Sequence, residues 1–164
     1  MSSDEAVVTR QLGRPPRGLR RVAHRCRCGL PDVVETAPRL PDGAPFPTLY
    51  YLTCPRAASA VGRLEATGVM RQMEAQLAQD EGLRAAYLAA HRDYLARRDA
   101  AARDAGVPPL PAGTQSAGGM PARVKCLHAL AAHELAAPGC NPLGRQALRL
   151  AGDWGAAGPC VGAA

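Results

Sequence analysis

Aromatic side chains are scarce in this sequence: 4% of its 164 residues are Phe, Trp or Tyr, with a single Trp and a single Phe. A core built from this composition has to rely on Leu, Val, Ala and a few Tyr. Long apolar runs are missing too. Nothing approaches the roughly 20 consecutive apolar residues that cross a bilayer. Met1–Val8 carries Asp4 and Glu5 and leads into arginines, so it lacks the apolar stretch of a secretory leader. The chain is therefore expected in the cytoplasm, without a membrane span. Paired C-x-x-C spacings, a P-loop, a dinucleotide-binding glycine motif and a Ser-His-Asp arrangement are all absent.

Acidic residues are absent from one segment in particular. Between Arg10 and Arg27 the sequence holds Arg10, Arg14, Arg17, Arg20, Arg21, Arg25 and Arg27 and no Asp or Glu, within a net charge of +6. This reads either as solubilising charge or as a basic arm for an anionic partner such as RNA, polyphosphate or an acidic protein. The anion-binding candidates are Arg14, Arg17, Arg20, Arg21 and Arg25, with Arg56 and Lys125 further along. No aromatic platform lies near the arm in sequence, which disfavours single-strand binding by base stacking.

What is present is six cysteines and four histidines. In a cytoplasmic chain thiols are kept reduced, so these cysteines are expected as metal ligands, reactive thiols or core residues rather than disulfides.

The pattern along the chain predicts an α+β fold, mostly α-helical with a small N-terminal antiparallel β-hairpin or three-stranded sheet. Residues 1–20 read as a flexible basic lead-in, 21–154 as a single globular domain and 155–164 as a mobile tail. Val33–Thr36 and Leu49–Thr53 carry the strand signal, Leu19–Ala23 offers a third strand, and the Pro-rich stretch from Pro38 to Pro47 is a loop. Helices are expected over Arg56–Thr67, over Val69–Gln79 after a break at Gly68, and from an Asp80 cap to about Asp104. Further helices are expected from Pro121 to about Ala137 and after the Asn141 cap with Pro142.

The hairpin makes a geometric statement about chemistry. In an antiparallel pair, the start of one strand lies beside the end of the other. Cys26 and Cys28 precede the Val33 strand and Cys54 follows the Leu49 strand, so Cys26 or Cys28 should lie near Cys54. Pro55 suits the first helical position, which puts Cys54 at a helix N-terminus where thiolate is favoured. On the predicted helix through Val124–Leu135, Cys126 and His133 share one border of the apolar stripe and His128 takes the other. Cys126 and His133 are about two turns apart, so one ion takes Cys126 with one histidine at most. A tetrahedral zinc site is then read as Cys26, Cys54, Cys126 and His128, with Cys28, His24, His91 and His133 as further candidates. An iron–sulfur cluster is the less favoured cofactor for the same set. Cys140 and Cys160 lie in Gly/Pro-rich contexts with no partner motif and read as bystanders.

Four blocks together resemble domain-of-unknown-function family 501, a bacterial and mainly actinobacterial family: Arg25 to Pro31, Pro41 to Pro55, Val124 to His128 and Asn141 to Gly144. The resemblance covers nearly the whole chain. It implies Cys at positions 26, 54 and 126 and His at 128, with position 28 variable and Thr commonly at 44, where this chain has Ala. It implies no established activity, and a link to cell division or polyphosphate metabolism only by association with neighbouring genes. Three readings stay open: a metal or thiol site, a basic adaptor for an anionic partner, and a cysteine-dependent enzyme with Cys54 as nucleophile.

Overall fold

Pro31–Thr36 is buried at every position, and the sheet is built around it. The computed structural model describes residues 3–162. In chain order the elements are α1 (Ser3–Leu12), β1 (Leu19–Arg25), β2 (Pro31–Thr36), β3 (Tyr50–Leu52), α2 (Pro55–Glu65), α3 (Val69–Gln79), α4 (Glu81–Ala105), α5 (Leu127–Ala136) and α6 (Pro142–Ala151). The sheet is antiparallel in the order β1-β2-β3, with Val34 opposite Val22 on one side and Tyr51 on the other. The class is α+β, and the third strand suggested by Leu19–Ala23 is present.

Local signals account for most boundaries. Cys54 is the N-cap of α2 with Pro55 in the first turn, and Gly68 breaks the chain before α3 with a φ of 82°. The Asp80 carboxylate accepts from Leu83 N at the start of α4, and Gly106 closes that helix. Asn141 caps α6 by accepting from Gly144 N.

Two segments depart from expectation. Ser3–Leu12 is helical rather than irregular. Asp4 and Glu5 sit in its first turn and Arg10 in its last, matching the helix dipole, and Val7 and Val8 are buried. Gln11 Nε2 donates to Pro31 O at 2.7 Å and fastens α1 to the sheet. The helix expected from Pro121 begins instead at Leu127. Glycines at 118 and 119, with φ of 62° and 94°, fold the preceding stretch into tight turns. These are closed by Lys125 N donating to Gly118 O and Arg123 N to Gly119 O.

Helices α2 to α6 pack with the sheet around Leu49, Tyr50, Tyr87, Tyr94, Leu127 and Leu130. Two buried polar side chains, Tyr94 and Arg98, fasten neighbouring segments there. Tyr94 Oη accepts from Leu49 N at 2.6 Å. Arg98, 3% exposed, donates to Pro47 O, Gln115 O and Thr114 O and so ties two loops to α4. After α6 the chain returns across one end of the sheet. Arg56 Nη1 donates to Gly158 O at 2.7 Å and Arg10 Nη2 to Gly162 O at 2.6 Å, so the segment read as a tail has defined neighbours.

Helices α5 and α6 touch closely at Gly144, where a β-carbon would fall 2.2 Å from Leu130 O. Gly144→Ala is therefore expected to force the pair apart and to destabilise the protein by about 1–3 kcal/mol or more, measured by urea denaturation. An unchanged midpoint would mean that the helices can separate freely.

Candidate metal centre

Glu65 ends α2 and Cys126 caps α5, so the two helix ends meet. Glu65, Cys126 and His128 each offer a ligand atom here, all within 4.8 Å of one another and all partly exposed. The Glu65 carboxylate divides its two oxygens: Oε2 accepts from Leu127 N at 2.8 Å, and Oε1 lies 3.1 Å from His128 Nδ1. The other ring nitrogen, His128 Nε2, lies 3.1 Å from Ala58 O. A carbonyl oxygen can only accept, so Nε2 carries a proton and donates it. In the neutral ring Nδ1 then presents a lone pair to a carboxylate oxygen. That contact needs a positive particle between the two atoms: a proton or a metal ion.

A second group joins Asp93, His133 and Cys140. His133 is fully buried. Its Nε2 donates to Asp93 Oδ2 at 2.8 Å and its Nδ1 accepts from Asn141 Nδ2 at 3.2 Å. Here a neutral imidazole satisfies both partners without a cation. Asp93 Oδ2 also accepts from Arg97 at 2.7 Å, and Asp93 is held below the usual carboxylate range; its Arg97 and His133 hydrogen bonds overcome the opposing effect of burial. Burial pushes the Cys140 thiol up to about 12.

A family described as "Protein of unknown function (DUF501)" matches residues 22–149. The chain belongs to this family. No curated protein and no solved structure matches it. The matched span of this DUF501 member contains all three residues of the first group.

Of the residues expected to gather around one ion, the structure brings together Cys126 and His128. Cys26 and Cys54 are in no group of three or more ligand atoms among the described residues. They lie at the same end of the sheet, as the strand geometry requires: Cys26 N donates to Leu30 O, and Thr53 N donates to Asp32 O. Yet β2 separates them, so their strands are two spacings apart, about 10 Å. Each instead feels a different thiol nearby, Cys26 that of Cys28 and Cys54 that of Cys160. Cys160, read as a bystander, is therefore a partner. The helix N-terminus at Cys54 does not produce a thiolate. Burial, at 2% exposure, outweighs the Ala57 and Arg56 amides and pushes the thiol up to about 11.

The remaining histidines have separate neighbours. His24 Nδ1 lies 2.7 Å from Asp32 Oδ1, whose carboxyl is raised by burial, and His91 Nδ1 lies 2.7 Å from Ser116 Oγ. Cys126 pairs with His128 rather than sharing a border with His133. Its backbone is extended, with φ −151° and ψ 106°, so helical spacing does not apply to it.

Glu65 escaped the sequence reading because its only signal is a place at the end of a predicted helix. The acid-free arginine segment is not acid-free in space. Arg20 and Arg21 pair with Glu35, Arg25 with Asp4 and Arg27 with Asp153. Arg14 lies 3.4 Å from Pro15 O, and Lys125 is exposed beside the Cys126 cap. Arg17 is also exposed, and it and Arg14 line a small pocket with Phe46 and Tyr51.

Burial holds the imidazoles of His133 and His91 below their usual 6.5. As pH falls through that value, the unfolded chain takes up protons that the folded chain refuses, so stability drops. The urea midpoint is expected to fall as pH is lowered from about 7 to about 5. His133 ring resonances should remain those of the neutral form where free imidazole is half-protonated. A midpoint that rises over this range would contradict the burial of both rings.

Proposed function

We propose that this DUF501 member is a metal-binding protein whose ion is held by Glu65 Oε1, Cys126 Sγ and His128 Nδ1, with zinc as the ion. The observation that carries the reading is the His128 ring. Its Nε2 is committed to Ala58 O, while Nδ1 faces Glu65 Oε1 at 3.1 Å. A metal-bound histidine characteristically donates its other N–H to a backbone carbonyl in this way, which fixes the tautomer and the ring. A proton would serve two of the three atoms; a metal ion serves all three, and a thiolate with an imidazole suits zinc or another borderline ion. In a tetrahedral zinc site neighbouring ligand atoms are about 3.3–3.8 Å apart. Ligand atoms of the present group lie within 4.8 Å of one another, and His128 Nδ1 and Glu65 Oε1, at 3.1 Å, are already close to that spacing.

Three protein ligands leave one position of a tetrahedron for water or an external ligand. The side chains of Glu65 and His128 are 25% and 33% exposed, so that position is within reach of solvent. A cytoplasmic setting, where Cys126 stays reduced, belongs to the same reading.

Protein purified anaerobically without chelator is expected to carry one zinc per chain by elemental analysis. Cobalt substitution should give a thiolate-to-metal charge-transfer band. C126S and H128Q should each lower zinc affinity by more than the roughly 10- to 100-fold that an outer-shell partner is worth, and C140S should leave it unchanged. Binding should release protons, read by calorimetry in buffers of different ionisation enthalpy. Failure of the purified protein to take up zinc, cobalt or ferrous iron would remove the proposal.

A further inference from the structure

The sheet end that carries Cys54 is covered by the segment after α6, and that segment delivers a second sulfur. Cys54 sits between β3 and α2, buried, and Cys160 lies close by: it lines one groove with Pro55 and Arg56, the two residues after Cys54, and its thiol influences that of Cys54 electrostatically. Cys160 is held from both sides. Gln11 Nε2 donates to its Sγ at 3.3 Å, and Arg56 Nη1 and Arg10 Nη2 grip the backbone carbonyls of Gly158 and Gly162, two residues before and after it. The approach is shaped further back along the segment. Gly155 is buried against the Cys26 turn, where a β-carbon would fall 2.6 Å from both Cys26 Sγ and Arg27 Cγ. Both cysteines are free thiols.

We propose that Cys54 and Cys160 form a redox modification site, joined by a reversible disulfide when the protein meets a peroxide. The two sulfurs differ in access. Cys160 is partly exposed and lines an open groove of about 460 Å³ with Arg56, Ser59, Arg63 and Trp154, whereas Cys54 is enclosed. Cys160 is therefore the sulfur that a peroxide reaches. Its thiolate takes one peroxide oxygen to give a sulfenic acid, and the other oxygen leaves as water or an alcohol after protonation. The sulfur of Cys54 then attacks the sulfenic sulfur, an S–S bond forms, and the Cys54 proton leaves with the hydroxyl as water. The two thiols lose two electrons and two hydrogens to the peroxide in total. A thiol or thioredoxin-type dithiol reverses the step. Cys54, enclosed and kept protonated by burial, is not the sulfur that first meets the peroxide, and its attack on the sulfenic sulfur requires loss of that proton.

The disulfide would fasten the C-terminal segment across the start of α2 and close a loop of more than 100 residues. It lies apart from Glu65, Cys126 and His128, so it stands or falls independently of zinc binding.

The test is peroxide treatment of the full-length reduced protein at near-stoichiometric amounts. Intact-mass measurement should show loss of two hydrogens, and peptide mapping should place the cross-link between Cys54 and Cys160. Dithiothreitol should reverse it. The oxidised form should melt roughly 10 °C higher, as expected for a loop of this length. C160S should abolish the cross-link and, placed at a partly exposed site, should leave the reduced fold intact by circular dichroism. C28S and C126S should leave the cross-link in place. Retention of all six titratable thiols after peroxide, a cross-link confined to Cys26 and Cys28, or one that forms only in urea would each overturn the proposal.

Discussion

The imidazole of His133 is the point through which four elements are joined. It belongs to α5, lies nearly parallel to the Tyr50 ring of β3 with centroids 6.2 Å apart, and meets the Tyr94 ring of α4 edge-on at 5.1 Å. Its two nitrogens reach Asp93 on α4 and the Asn141 cap of α6. A buried imidazole with either nitrogen unpaired would cost several times what one good hydrogen bond contributes. Here both are met, and the ring also fills space that an aromatic-poor sequence has few other side chains to fill. Asn141 serves twice, closing the first turn of α6 through Gly144 N while setting the His133 tautomer. The helix cap and the core are thus one hydrogen-bonded unit, and Glu134 extends it by accepting from Asn141 N and Gly139 N.

The contrast between His133 and His128 separates a structural histidine from a candidate ligand on one short helix. His133 is placed between a donor and an acceptor, so a single neutral tautomer suffices. His128 is placed between two acceptors, a carbonyl and a carboxylate, so a neutral ring cannot satisfy both. Residue type and helix are the same for both, and it is the partners that differ.

Much of the fold was legible because its signals are local. β-Branched runs marked β2, Asp80 and Asn141 marked helix starts, and Gly68 marked a break. The resemblance of the four blocks to DUF501 was equally readable, since it rests on residues and their order. What could not be read depends on distant groups. The helix before Leu127 failed to extend to Pro121 because two glycines form turns that Lys125 and Arg123 close. The cysteines at 26 and 54 share a sheet end, but pairing order puts β2 between them, and no spacing in the sequence gives strand order. The acid-free arginine stretch found Glu35, Asp4 and Asp153 from across the fold. Burial overrode the helix N-terminus at Cys54, and burial is a property of the packed chain.

The Glu65 carboxylate links the chemistry of α2 to the architecture of α5. One oxygen seats the Leu127 amide at the mouth of α5, and the other looks at His128. Any charge placed at the second oxygen tugs on the group that anchors the first. With the proposed ion in place, the opening turn of α5 would respond to it, and the Leu127 amide is where that response could be read. Because Leu127 and Leu130 in the same turns sit in the centre of the core, the reading would carry inward to the packing rather than stop at the surface.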